Sequence, residues 1–111
     1  MLAAGQAQLR AFAQAGGQVL FGTDVGYMTD YDPSDEFAYM QQAGLTYAQI
    51  LAALTTAPAT RFGMAGRTGR LAPGLDADVT VVDGDPARDI RTLAQVRYTL
   101  RGGRVIHDKT R

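Results

Sequence analysis

The chain has 111 residues, 46% hydrophobic and 20% charged, which suits one globular domain and is less than half of the roughly 250 residues that a (β/α)₈ barrel requires. Eleven basic and eleven acidic side chains cancel, leaving no overall field that would favour nucleic acid or an anionic membrane. The absence of cysteine rules out disulfides, thiolate metal sites and a cysteine nucleophile, and one histidine, His107, cannot build a histidine-rich metal site.

The first residues lack a basic flank running into an apolar core, the pattern of a secretory signal. The longest apolar run, 50–54, is far short of the ~20 residues that cross a bilayer. Together these features predict a cytoplasmic protein. Charge is uneven along the chain, with a net −4 over residues 1–60 and +4 over residues 61–111. The hydrophobic period changes near Gly63–Gly69 as well, which predicts a boundary between residues 1–65 and 66–111.

In chain order, residues 2–15 read as a helix, with Leu2, Leu9, Phe12 and Ala13 on one stripe and Gly16-Gly17 as its stop. Residues 18–24 follow as an apolar run without alternation, the pattern of a strand covered on both faces in a parallel sheet. Asp32 is placed to cap a helix that opens at Pro33, with Phe37, Met40 and Gly44 on one face. Thr46 and Gln49 form a capping box for the next helix, whose stripe is Tyr47, Ile50, Leu51 and Leu54. Ala57-Pro58 should break that helix and open a last helical turn ending at Gly63.

Beyond Gly63 the period becomes two. Arg70-Leu71 reads as a short strand, residues 78–83 as a longer one, and residues 89–93 as one helical turn. Val96, Tyr98 and Leu100 alternate with Arg97, Thr99 and Arg101, and Gly102-Gly103 turns them into a hairpin with residues 104–107. An α/β segment is thus followed by a small antiparallel sheet.

Asp24 is the best single candidate for chemistry. It ends the apolar run in Gly22-Thr23-Asp24-Val25-Gly26, where the glycines admit other groups close to the backbone, and catalytic side chains collect at the carboxyl ends of parallel strands. The plainer reading is an aspartate that caps its own loop. Capping and first-turn dipole interactions also account for most of the cluster Asp30, Asp32, Asp35 and Glu36. Asp83, Asp85 and Asp89 lack the bidentate glutamate of a calcium loop. Tyr27 and Tyr31 could face a substrate or simply pack. Arg97, Arg101 and Arg104 could meet phosphates, but the aspartates interleaved with them speak against a nucleic-acid partner.

Gly22-Thr23-Asp24, then Thr55-Thr56-Ala57-Pro58-Ala59-Thr60-Arg61-Phe62-Gly63, then residues 69–86 and the closing segment with Arg101-Gly102-Gly103-Arg104 stand in a telling order. In that order and spacing they resemble the amidohydrolase superfamily, nearest its imidazolonepropionase-like and Xaa-Pro dipeptidase-like branch, over essentially the whole chain. The resemblance implies an α/β fold. Residues 1–65 would be the end of a (β/α)₈ TIM-type barrel of a metal-dependent hydrolase, its last strand included. Residues 66–111 would be the C-terminal part of a composite β-sandwich.

By the same resemblance, Asp24 would ligate a divalent metal, zinc, and accept a proton from the attacking metal-bound water. The reaction implied is hydrolysis of a C–N bond in an amide, a cyclic amide or an Xaa-Pro peptide, with a small molecule or dipeptide as substrate. The family's histidine ligands have no counterpart in this sequence, and His107 falls in the closing hairpin, away from the family's barrel mouth. The expectation is therefore the C-terminal portion of such an enzyme, inactive and without zinc on its own. Two alternatives stand beside it: one half of a split hydrolase assembled with a complementing barrel chain, and a non-catalytic structural or binding module. Val19, Leu20 and Phe21, as a strand without neighbours, predict self-association.

Overall fold

The computed structural model describes residues 2–110. It contains four helices, α1 (Leu2–Gln14), α2 (Ser34–Gln42), α3 (Tyr47–Leu54) and α4 (Thr56–Arg61), and three strands, β1 (Val79–Val82), β2 (Val96–Arg101) and β3 (Arg104–Asp108). A 3₁₀ turn, Ile90–Ala94, precedes β2. No helix among the described residues is long and apolar enough to cross a membrane.

The core lies among α2, α3 and the 3₁₀ turn, where Phe37, Met40, Ala43, Leu45, Ile50, Ala53 and Ile90 are buried together. Helix α1 only leans on it: Leu9 and Ala13 pack against the core, no α1 residue is buried, and Leu2 and Phe12 stay more than half exposed. Half of the stripe expected on α1 therefore faces outward. Polar contacts also tie α1 to the end of α2: the Arg10 guanidinium donates from Nε to the Ala43 carbonyl (2.7 Å) and from Nη2 to the Gln42 carbonyl (3.1 Å), and the Gln6 side-chain amide donates to the Gln42 Oε1 (3.0 Å). The backbone carbonyls at the end of α2 are ones that a helix cannot satisfy internally, and a cation there also opposes the helix dipole.

Several helix boundaries follow the sequence. The Thr46 hydroxyl accepts from the Gln49 backbone N–H while the Gln49 side chain accepts from the Thr46 N–H, completing the capping box. Others differ. Gly44 does not share the buried face of α2. It ends that helix with φ 102°, and Leu45 N–H reaches back to the Met40 carbonyl to close the end. The break after α3 falls at Thr55 (φ −131°, ψ −81°), whose hydroxyl donates to the Leu51 carbonyl, and Pro58 sits inside the first turn of α4. A missing N–H costs nothing there, because the first-turn donors have no intrahelical partner.

The sheet is antiparallel in the order β1-β2-β3, with Val79 opposite Leu100 and Thr99 opposite His107. Gly102 and Gly103 both take positive φ in the β2–β3 turn, as the handedness of a two-residue hairpin requires. The Gly102 N–H donates to the Asp78 carboxylate, and the Gly103 N–H to the Ala77 carbonyl. Arg70-Leu71 is not a strand. That region is a series of turns, tied back by Asp76 N–H to the Arg67 carbonyl and by the Arg67–Asp76 ion pair.

Residues 18–24 run without turn or helix but belong to no sheet. A strand is defined by its ladder, and the described residues hold no parallel partner for this one. Val19 and Phe21 pack inward against the core, and the Phe21 N–H donates to the Ala53 carbonyl at 3.0 Å. Side-chain burial holds the segment in place without a sheet. The chain is correspondingly open, with a radius of gyration of 14.8 Å against about 13 Å for a compact domain of this length.

Candidate functional site

Asp24 ends the 18–24 segment in the left-handed conformation (φ 53°), and no other non-glycine among the described residues has positive φ. Aspartate tolerates this region better than most side chains, but it remains an uncommon state. The turn that imposes it is short. The Asp24 carbonyl accepts from both Tyr27 N–H (3.0 Å) and Met28 N–H (2.9 Å), and Gly26 supplies a second positive φ. Val25 N–H donates to the Thr23 hydroxyl at the entrance of the turn.

The backbone of Asp24 is therefore committed to the loop, while its carboxylate is exposed and has no hydrogen-bond or ion-pair partner among the described residues. Capping through the side chain, the plainer reading of this aspartate, is not what the structure shows. Tyr27 and Tyr31 on the same loop are 89% and 74% exposed, so neither is a packing residue within this chain.

Three of the neighbouring acidic residues are occupied, and Glu36 on α2 has no hydrogen-bond or ion-pair partner among the described residues. Asp30 accepts from Asp32 N–H and Asp32 from Ser34 N–H, each at 2.9 Å, and Asp35 pairs with Arg91. The hydrogen bonds from Ser34 hold the Asp32 carboxyl below its ordinary range. Asp85 and Asp89 accept from the backbone N–H groups of Ala87 and Arg91, which closes turns and leaves no convergent set for a cation. In the closing sheet, Asp83 is bound by Arg97 and Lys109, and these bonds lower its pKa and raise that of Arg97. Arg97 thus answers to a carboxylate within the chain, a partnership the sequence pattern alone did not identify. His107 is exposed on β3.

Among the described residues no group of three or more His, Cys, Asp or Glu side chains could hold a metal ion. A zinc site with a reactive water takes about three protein ligands, so this donor set does not fit a metal by itself. Asp24 fits one position of such a shell: an ionisable carboxylate, sterically open and not already engaged.

Comparison with known proteins gives these features a setting. Residues 3–107 match the sequence model of the Amidohydrolase family. A curated relative, amidohydrolase tasK of Hapsidospora irregularis, is 51% identical over 43 residues, 39% of this chain and 4% of that protein. The fold is similar to that of a Xaa-Pro dipeptidase with methionine bound in its active site, with a TM-score of 0.84 and 25% identity over 92% of this chain and 25% of the other. It is also similar to a prolidase in complex with N-methylphosphonate-L-proline, with a TM-score of 0.83 and 31% identity over 95% of this chain and 26% of the other. The chain thus spans about a quarter of the length of these solved relatives. With nearly its whole length matched in sequence, and with the fold matched as well, the chain belongs to the amidohydrolase family.

Proposed function

We propose that these residues are the C-terminal part of a metal-dependent hydrolase that cleaves a C–N bond, in an amide, a cyclic amide or an Xaa-Pro peptide. The observation that carries this reading is the Asp24 carboxylate, presented at the end of an apolar extended segment on a constrained turn, exposed and unpaired among the described residues. Family membership supports hydrolysis, and the likeness to a prolidase and a Xaa-Pro dipeptidase supports the peptide among the three substrate classes. In this reading residues 1–65 close a (β/α)₈ barrel and residues 66–111 join a composite β-sandwich.

A divalent metal, zinc in this reading, supplies the Lewis acidity that brings the pKa of water near 7. The contribution of this chain is Asp24. Asp24 would be one of the residues that hold the cation, and its carboxylate would accept a proton from the attacking water and pass it to the departing nitrogen. The remaining ligands come from residues beyond these 111, so the chain alone is inactive.

The test is reconstitution. The chain is fused to, or co-expressed with, a barrel portion that carries the missing histidines, and the assembly is assayed on Xaa-Pro dipeptides and simple amides. Turnover that a chelator removes and zinc restores supports the reading. A folded, zinc-loaded assembly without turnover, or one indifferent to chelation, refutes it.

A further inference from the structure

Asp24 and Val25 share a peptide unit that is held at both ends. Its carbonyl accepts from the Tyr27 N–H (3.0 Å) and the Met28 N–H (2.9 Å), and its N–H donates to the Thr23 hydroxyl oxygen (3.3 Å). A trans peptide is planar with its C=O and N–H pointing opposite ways, so bonds at both ends leave the plane little freedom to rotate. That plane meets Asp24 at ψ. Fixing it fixes the direction in which the carboxylate leaves the turn.

The conformation is not one that Asp24 would keep by itself. Left-handed backbone (φ 53°) is uncommon for a residue with a side chain and persists where its surroundings impose it. The two amides on the carbonyl belong to the downstream loop. Upstream, the chain is anchored at Phe21, by its N–H on the Ala53 carbonyl and by its ring on Phe37. Between that anchor and the turn, the backbone groups of Gly22 and Thr23 make no hydrogen bond among the described residues. The half-buried Thr23 side chain is therefore the upstream grip on the Asp24–Val25 peptide, and its β-branch restricts the rotation of the hydroxyl about χ1.

We propose that Thr23 is a positioning residue for Asp24, its hydroxyl clamping the peptide that aims the carboxylate. The consequence for catalysis rests on the hydrolase reading of Asp24, whereas the clamp is a property of this chain. Misplacing a catalytic group by about 1 Å can cost about 10²-fold in rate, so a carboxylate held in one direction is worth much to such a reaction. In this role the hydroxyl acts through Asp24 alone, and its loss lowers kcat while leaving substrate binding as it was.

Two substitutions separate the hydroxyl from the shape. Thr23→Val keeps the β-branch and removes the acceptor, and Thr23→Ser keeps the acceptor. Val25 is 53% exposed, so its freed N–H meets water and the fold survives. In the 111-residue chain, amide exchange followed by NMR should become about tenfold faster at Val25, Tyr27 and Met28 in Thr23→Val, the scale of one lost hydrogen bond. Phe21 should be unchanged, and Thr23→Ser should stay close to the native rates. In the reconstituted hydrolase, Thr23→Val should lower kcat about tenfold with KM within about twofold, and Thr23→Ser should restore most of the loss. Unchanged exchange at the turn amides overturns the proposal, as does an equal loss of kcat in both variants or a loss carried by KM. A folded, zinc-loaded native assembly without turnover refutes the hydrolase reading instead, and the exchange rates then decide the clamp by themselves.

Discussion

Phe21 stacks on Phe37 with ring centroids 5.0 Å apart and planes inclined by 30°, three residues before the carboxylate of Asp24. The candidate site is therefore fixed to the core by an aromatic pair and one backbone hydrogen bond, where a barrel strand would be fixed by ladders on both sides. Phe21→Ala should cost about 2–4 kcal/mol of stability, and Leu20→Ala, on the outward side, less than about 1 kcal/mol. Urea unfolding of the two variants at a concentration where the chain is monomeric checks the contrast.

Gly69 is expected to be the glycine least tolerant of a side chain. It takes φ 100°, and a Cβ there would lie 2.6 Å from the Ala59 Cβ and 3.1 Å from the Thr55 carbonyl oxygen. Neither neighbour can swing aside, since one is a methyl on α4 and the other is backbone. Gly69→Ala should lose about 2–4 kcal/mol, combining backbone strain and overpacking. Gly66→Ala, where a Cβ meets open space, should stay within about 1 kcal/mol in the same thermal melts.

Asp24→Asn keeps the size of the side chain and removes its charge and basicity. In the reconstituted hydrolase it should lower kcat by about a thousandfold or more, since a lost general base alone typically costs 10² to 10⁴. His107→Ala, on exposed β3, should leave the rate within about threefold. The opposite ranking of the two variants would move the chemistry away from this turn.

The isolated chain should retain no stoichiometric zinc. One carboxylate cannot replace a shell of three or four ligands, and structural zinc affinity depends on that shell. Elemental analysis after exhaustive dialysis is the measurement, and about one equivalent of retained zinc would contradict the expectation.

Acid should destabilise the fold through the carboxylates of the closing sheet. The bonds from Arg97 and Lys109 depress the Asp83 carboxyl, and those from Thr110 depress Asp108. A group whose pKa is lower in the folded state contributes its full stabilisation above its ordinary pKa, about 3.9 for aspartate, and loses it as pH falls through the folded value. Stability from these groups should be flat at neutral pH and decline below about pH 4, and Asp83→Asn should flatten that decline. Both aspartates remain partly open to solvent, so added salt should weaken the effect.

The helices, the capping box and the closing hairpin were legible because each is written locally, in periodicity, in Thr46 with Gln49, and in the paired glycines at 102–103. The termination at Thr55 was not, since a proline three residues later is the louder signal, and only tertiary packing shows that it can be absorbed. Residues 18–24 carry the composition of a barrel strand, but a ladder needs a partner that composition cannot supply. At the site, the position of Asp24 was readable from its place after the apolar run and between glycines. Its left-handed backbone was not, because the conformation follows from two amides three and four residues downstream converging on one carbonyl. The Asp83 partnership with Arg97 and Lys109 joins residues 14 and 26 positions apart, a spacing that only the folded sheet defines.

Ile90 is 3% exposed within the same core as Phe37 and Met40, and its neighbour Arg91 pairs with Asp35 at the start of α2. The 3₁₀ turn that carries both belongs to the C-terminal stretch and plugs the helical one. Helices and sheet therefore share a single foldon: amides in α2 and in β2 should open together, with a common free energy in native-state hydrogen exchange. A cut between residues 65 and 66 would not free two small proteins. It would leave an open cavity in one and a stranded isoleucine on the other.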